Sequence, residues 1–366
     1  MPVDYMGQAL SLARLALGYT SPNPAVGAVV VKDGLVVGLG YTQPPGSRHA
    51  EVVALQQAED RARGASLFVT MEPCCHYGRT PPCVEAIVAA GIAEVHFSML
   101  DPNPVVCGKG KAELEKAGLR IYLGERQEEA FELNEAYVKY ITTGLPFVTA
   151  KMAMSLDGRI ATRSGDSKWI SGEKARQYAQ DLRHSVDAIM VGVNTVVADD
   201  PRLTARSFSD RGGRSRKQPL RVILDASGRT PLTAQVFKEP GDTLLAVGSS
   251  CGPEKVEAFV KAGAEVVSLP SERGLVDLQA LLKELGKKEI TSVLVEGGGA
   301  LLGSFFDSGL VDKVVAFIAP LIIGGKDAKS AVEGYGVDKV GQALRLDRVR
   351  IERVADDLLL QGYVSK

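Results

Sequence analysis

Several protein classes are excluded by what this 366-residue sequence does not contain. No apolar run approaches the roughly 20 residues that a membrane-crossing helix needs, so no membrane partner is expected. A net charge of −1 leaves no basic stripe for nucleic acid. Met1-Pro-Val-Asp-Tyr5 has no charged region followed by an apolar stretch, so no secretory leader is expected and the chain reads as cytoplasmic. Five cysteines, three of them crowded between Cys74 and Cys83, do not form a disulfide framework; metal binding in a reducing compartment fits them better. There is no low-complexity tract, no internal repeat between the halves, and a single tryptophan, Trp169. The composition is otherwise plain, 45% hydrophobic and 24% charged, in a chain too long for one ordinary core. Two domains are expected.

The chemistry concentrates in His49-Ala-Glu51, Met71-Glu-Pro-Cys-Cys-His76 and Gly78-Arg-Thr-Pro-Pro-Cys83. Together these supply one imidazole, two thiols and a carboxylate. A hydrolytic zinc deaminase needs that set: three metal ligands with an open fourth position, and an acid to move protons. Zinc lowers the pKa of a bound water to about 7, so hydroxide attacks an amidine-like ring carbon at neutral pH. The nucleobase deaminase signature has two residues between its cysteines, whereas eight separate Cys74 from Cys83.

Local patterns place these groups. Glu51 lies near the start of a helix whose apolar positions are Ala50, Val53, Ala54 and Ala58, aimed at the bound water without ligating. Cys74 follows the buried strand Leu67–Met71, and Cys83, after Pro81-Pro82, opens a helix through Val84, Ile87 and Val88 that ends at Gly91. A helix start should lower the Cys83 pKa. A structural zinc would need a fourth protein ligand. Cys75 is the available thiol, but neighbours on an extended segment face opposite sides, so it reads as a small core residue.

The first half is predicted to run as a helix from Asp4 to Gly18, a hairpin (26–31 and 35–39), helix 49–62, strand 67–71, helix 83–90, strands 94–99 and 119–123, and one helix over 128–142. Thr143–Pro146 is the expected boundary, giving domains 1–145 and 146–366. In the second half, after a strand beginning at Phe147, strands are expected at 188–193, 220–224, 243–247, 292–295 and 314–318. Helices are expected at 173–184, 254–262, 275–286 and 299–307, and the alternating tail should form antiparallel strands.

Three glycines, Gly297 to Gly299, separate a buried strand from a helix, which suits either a pyrophosphate approached by backbone N–H groups or a tight structural turn. The dinucleotide fingerprint fails, because Leu302 stands where its last glycine would be. Arg183, Arg202 and Arg206 could grip a phosphate or be solvated surface charges. Trp169 sits in a polar segment, as a core anchor or as a stacking surface for a ligand ring.

Read together, Ser21-Pro-Asn-Pro-Ala-Val-Gly27, His49-Ala-Glu51, Glu72–Cys83, Asp101-Pro-Asn103, Lys151–Gly158, Val191–Thr195, Asp199–Thr204 and Glu296-Gly-Gly298 resemble the bifunctional riboflavin-biosynthesis family, a pyrimidine deaminase fused to a pyrimidine reductase. The resemblance spans essentially the whole chain. It implies an α/β protein: a three-layer cytidine-deaminase-like domain (1–145) followed by a dihydrofolate-reductase-like domain (146–366). It implies one zinc per chain on His49, Cys74 and Cys83, with Glu51 as proton shuttle and Asn23, His76 and Arg79 in the pocket for a phosphoribosylaminopyrimidine. Thr42 departs from the histidine expected there. NADPH would contact Ala153, Trp169, Thr195, Asp199, Gly297, Gly298 and Gly299. The phosphoribosyl substrate would contact Ser167, Arg183, Leu203, Arg206 and Glu296, with Lys151 giving electrostatic help at the reducing carbon. Zinc-hydroxide deamination of the diaminopyrimidinone would precede NADPH-dependent reduction of its ribosyl chain to ribityl, in a homo-oligomer.

Other readings fit less of the sequence. A single-function deaminase has no need of the Lys151 to Arg206 motifs, a deaminase of tRNA or DNA would want a basic, aromatic-rich face, and a zinc scaffold has no use for Glu51.

Overall fold

Asp33 (φ 50°) and Gly34 (φ 76°) both adopt left-handed backbone, the two-residue turn whose twist suits a hairpin. They join β1 (Gly27–Lys32) to β2 (Leu35–Tyr41), with Lys32 opposite Leu35. The computed structural model describes residues 3–206 and 218–365; Met1 and Pro2, on which part of the leader expectation rests, lie outside them. The chain divides into two units, Met1–Leu145 and Pro146–Lys366.

In the first unit α1 (Tyr5–Arg14) precedes the hairpin. After it come α2 (Ala50–Ala58), β3 (Ser66–Val69), α3 (Cys83–Ala89), β4 (Glu94–Phe97), α4 (Lys109–Lys116), β5 (Arg120–Leu123), α5 (Gln127–Leu133) and α6 (Glu135–Thr143). The sheet order is β2-β1-β3-β4-β5; β1 runs antiparallel to both neighbours, and β3, β4 and β5 are parallel. Met6 and Ala9 of α1 pack on Val29 and Val31, while α2 and α3 cover the opposite face with Ala28, Val30, Leu67 and Val95. Gly38 and Gly40 let α2 sit directly on β2: a Cβ there would lie 2.1 Å from the carbonyl oxygens of Ala54 and Ala50. That contact fixes the end of α2 that carries His49 and Glu51.

Three expectations need correction here. The helix expected over 128–142 is two helices, broken at Asn134 (φ −110°, ψ 18°). The buried Asn134 carboxamide accepts from Ala25 N–H (2.8 Å) and donates to Ala25 C=O (3.1 Å), a tertiary bond that outweighs helix continuity. The first helix ends at Arg14, and α4 appears where polar sequence with one buried leucine, Leu114, gave no periodic signal.

The second unit comprises β6 (Phe147–Ser155), β7 (Arg159–Ala161), α7 (Glu173–Ser185), β8 (Ala188–Gly192), α8 (Val193–Asp199), β9 (Leu220–Leu224), β10 (Thr243–Val247), α9 (Pro253–Lys261), β11 (Glu265–Ser268), β12 (Ser271–Glu272), β13 (Leu275–Val276), α10 (Leu278–Lys287), β14 (Ser292–Val295), α11 (Gly299–Asp307), β15 (Lys313–Ala319), β16 (Lys329–Ser330), β17 (Leu346–Val354) and β18 (Asp357–Val364). Nine strands form one sheet in the order β11-β10-β9-β8-β14-β6-β15-β18-β17. The strands from β11 to β15 are parallel, and β18 and β17 close the sheet antiparallel. Continuous apolar strands such as Ala188–Val191 are fully buried, as a parallel sheet covered by helices requires. Strand β11, helix α8 and the small β12–β13 hairpin were not anticipated. The helix expected from 275 starts at Leu278, because Leu275–Val276 pairs as β13 and Asp277 caps the helix by accepting from Ala280 N–H (2.9 Å). Among the described residues, no helix is long and apolar enough to cross a membrane.

Candidate active sites

His49 is the extended residue preceding α2, and Cys83 is the first residue of α3. Nδ1 of His49 lies 3.5 Å from Cys74 Sγ and 3.3 Å from Cys83 Sγ, and the three donor atoms fall within 4.8 Å of one another. One imidazole nitrogen and two thiols suit zinc with a position left for water. On the far side of the ring, Thr80 Oγ1 lies 3.2 Å from Nε2, which leaves Nδ1 for the metal. Cys75 is outside the cluster and packs against the core.

The electrostatics correct one expectation. It is Cys74 whose pKa falls, to about 4, through a hydrogen bond with the Cys83 thiol that outweighs its burial; His49 and the Cys83 N–H (3.3 Å) assist. Cys83 is pushed well up by that same bond and by burial. Its position at a helix start does not compensate. The hydrogen bond to Cys74 raises His49 to about 8. Burial raises the Glu51 carboxyl, against the pull of His49, and Glu51 is within hydrogen-bond reach of the Cys83 thiol.

Around this centre, His76 has a buried Nδ1 with no partner among the described residues. The hydroxyl of buried Thr42 accepts from Val26 N–H (3.0 Å) and donates to Val26 C=O (3.3 Å), so the backbone occupies it. Asn23 lies in the turn closed by its N–H on Thr20 C=O (2.7 Å), and Arg79 is exposed. Sequence reasoning assigned nothing to Glu72. This buried carboxylate accepts from the N–H groups of Asp101 (3.2 Å), Gly108 (2.9 Å) and Lys111 (2.9 Å), tying the 101–111 segment to the cysteine loop. An acid immediately before Pro73-Cys74, in a run otherwise read as buried, was the available signal.

In the second unit, Arg183 of α7 meets Glu296, just past β14, through Nε–Oε1 and Nη2–Oε2 bonds of 2.7 Å each. Lys151 Nζ lies 4.0 Å from the same carboxylate. Parallel pairing of Val295 with Ala150 brings β14 and β6 into the register that sets Glu296 beside Lys151. Burial alone would raise the Glu296 carboxyl, but Arg183 and then Lys151 hold it at about 2. Burial also lowers the Lys151 ammonium, against the attraction of Glu296. Arg183 also donates to Thr204 C=O (3.2 Å), next to Leu203, which has left-handed backbone (φ 51°); Arg206 N–H donates to Gln180 on α7 (2.8 Å). Arg202 does not join this group; it pairs with Glu239 (3.1 Å).

The other assigned residues spread around α8 and α11. A Cβ on Gly298 would stand 3.8 Å from Thr195 Oγ1, so the glycine turn faces the start of α8. Gly299 has a packing reason of its own: a Cβ there would lie 2.3 Å from Ser330 C=O. Asp199 ends α8 and is exposed. Ala153 shares a strand face with Lys151 and packs with Phe317. Ser167 and exposed Trp169 lie on the loop before α7, with the Arg176 guanidinium 4.6 Å over the indole. A cleft of about 1080 Å³ runs from Asn194 past Arg229 to Ala300 and Leu301 of α11. None of Ala153, Trp169, Thr195, Asp199 or Gly297–Gly299 lines it, although α11 begins beside it.

Comparison with known proteins identifies the class of each unit. Residues 2–99 match the cytidine and deoxycytidylate deaminase zinc-binding region, and residues 146–360 match the RibD C-terminal domain. Riboflavin biosynthesis protein RibD of Actinobacillus pleuropneumoniae is 42% identical over 99% of this chain and 95% of its own. RibD of Acinetobacter baumannii superimposes with a TM-score of 0.89 at 38% identity, covering 99% and 98% of the two chains. A Thermotoga maritima structure described as a diaminohydroxyphosphoribosylaminopyrimidine deaminase/5-amino-6-(5-phosphoribosylamino)uracil reductase gives 0.85 at 34% identity, over 99% and 98%. Fold and sites thus define a two-domain enzyme, a hydrolytic deaminase followed by a reductase that uses a nicotinamide cofactor. The chain belongs to the RibD family, the bifunctional deaminase/reductases of riboflavin biosynthesis.

Proposed function

We propose that residues 1–145 remove an exocyclic amine from 2,5-diamino-6-(5-phosphoribosylamino)pyrimidin-4(3H)-one, and that residues 146–366 then reduce its ribosyl chain to ribityl with NADPH. The observation that carries this reading is the His49–Cys74–Cys83 donor cluster with Glu51 beside it. Zinc held by His49, Cys74 and Cys83 supplies Lewis acidity that makes water nucleophilic at neutral pH. Thr80 holds the imidazole with Nδ1 inward. Glu51, outside the ligand set, takes the proton from the attacking water and returns it to the departing amine, so ammonia leaves and a carbonyl remains. Nδ1 of His76, which has no partner among the described residues, is available to a polar atom of the ring.

In the reductase unit, NADPH supplies a hydride for C1′ of the ribose, while the protein binds and orients. Glu296 is fixed by Arg183, and Lys151 stands beside them as a positive charge near the reducing carbon. Arg206 binds the substrate phosphate. Trp169, Thr195, Asp199, Ala153 and the Gly297–Gly299 turn contact the cofactor, and Ser167 and Leu203 the substrate. One zinc per chain, a cytoplasmic location and a homo-oligomer complete the reading. Ammonia release and NADPH oxidation are measured on the diaminopyrimidinone substrate. Equimolar ammonia and NADP⁺, with ammonia first, is the expected result; reduction without ammonia would defeat this order.

A further inference from the structure

The turn after β6 is tied to a segment that arrives from far along the chain. Asp157 stands in that turn, and its carboxylate accepts from Ile323 N–H (Oδ1, 3.0 Å) and Gly324 N–H (Oδ2, 2.8 Å). The Ser155 hydroxyl donates to the same Oδ1 (2.6 Å) and accepts from Arg159 N–H (2.9 Å), which closes the turn. The Ser155 hydroxyl first, then the two N–H groups, hold the Asp157 carboxyl at about 2, so it is an anion throughout the neutral range. Gly324 (φ 68°) and Gly325 (φ 86°) take left-handed backbone, which lets residues 321–334 turn back along β7 as a strap. Arg159 Nη1 donates to Ala328 C=O (2.9 Å) and Ser330 Oγ (2.8 Å), and Ala331 N–H donates to Gly158 C=O (3.0 Å). At its far end the strap reaches α11, where Glu333 N–H donates to Gly299 C=O (3.0 Å) and a side chain on Gly303 would run into the Glu333 carbonyl.

Among the described residues β7 pairs with β16 of the strap and with no other strand. Directly after β7 comes the loop that carries Ser167 and Trp169. The far end of this loop is held by other elements: Arg176 of α7 donates to Ser171 C=O (2.6 Å), and Gly172 N–H donates to Asp357 of β18 (2.7 Å). Its near end is set by the strap, and Asp157 anchors the strap. A carboxylate serving its own turn alone would need no distant donors; two of the three here lie 166 and 167 residues away. Small misplacements of the groups that orient a substrate are costly in rate. We propose that Asp157 is a positioning residue of the reductase: through the strap it fixes the loop of Ser167 and Trp169 relative to the glycine turn that opens α11. This rests on the proposed roles of those residues toward substrate and NADPH.

Trp169 is the only tryptophan, so its fluorescence reports this loop alone. In the full-length protein without ligands, Asp157→Ala should lower the Trp169 anisotropy, because the loop gains freedom, and leave deamination by the other unit unchanged. With the deaminated substrate, kcat/KM for reduction should fall about ten- to hundredfold. KM for the substrate and KM for NADPH should rise together, since both contacts ride on one loop. Asp157→Asn keeps one acceptor oxygen for one of the two N–H groups. It should lie between wild type and Asp157→Ala in anisotropy and in both KM values, and it carries the test if Asp157→Ala does not fold. A lower melting temperature with anisotropy and KM at wild-type values marks a purely structural carboxylate and overturns the proposal. Lower anisotropy with wild-type reduction, or impaired reduction with unchanged anisotropy, also overturns the role of Asp157, while the reductase reading stands. If the wild-type protein does not reduce the deaminated substrate with NADPH, that reading falls and this proposal with it.

Discussion

The hydroxyl of Thr80 lies 3.2 Å from Nε2 of His49, on the side of the ring away from the two thiols. A partner on the outer nitrogen fixes the orientation and tautomer of a ligating imidazole, and its loss typically costs about 10–100-fold in metal affinity. Thr80→Val should therefore weaken zinc by that factor in a chelator competition. Unchanged affinity would mean that the hydroxyl does not orient the ring.

Cys75 adjoins Cys74 in sequence but not in the cluster. Cys75→Ser should keep both zinc and deamination, whereas Cys83→Ser should lose both. Elemental analysis of the two purified variants checks this, and zinc loss from Cys75→Ser would break the proposed ligand set.

Glu296 titrates at about 2 when folded, against an ordinary 4.5. A depressed carboxylate contributes stability that is fully present above about pH 4.5 and fades as pH falls toward 2. Near neutrality Glu296→Gln leaves Arg183 and Lys151 facing each other without their anion, a loss on the order of 3–5 kcal/mol for a broken buried pair. Denaturant titrations from pH 7 downward should show the gap between wild type and variant closing below pH 4.5. A gap that stays constant with pH would contradict the arrangement.

Each unit has its own sheet and core, so a fragment from Pro146 to Lys366 should fold and reduce the already deaminated substrate without zinc. In that fragment Arg206→Ala should raise KM for the phosphorylated substrate about ten- to hundredfold, equivalent to roughly 1.5–3 kcal/mol, with NADPH affinity little changed. Weakened cofactor with intact substrate binding would reverse the assignment of Arg206.

What the sequence made legible follows from the range of the interactions. His49, Glu51, Cys74 and Cys83 lie within one short stretch, and proline and apolar spacing mark the elements that hold them. The hairpin at Asp33-Gly34 is likewise written locally. By contrast, the Arg183–Glu296–Lys151 cluster joins three distant segments: the β14–β6 register sets Glu296 beside Lys151, and Arg183 arrives on α7. Motif resemblance singled out each residue but not their pairing. Asn134 broke an otherwise regular helical pattern because its partner, Ala25, is 109 residues away. Glu72 escaped notice because its value lies in distant backbone N–H groups that sequence does not reveal.

Glu51→Gln tests the central claim most directly, with zinc content, deamination and reduction measured on one preparation. The account predicts one zinc per chain, deamination reduced by at least about 10²–10⁴-fold, and undiminished reduction of the deaminated substrate. Loss of zinc from the variant, or deamination at the wild-type rate, would contradict it.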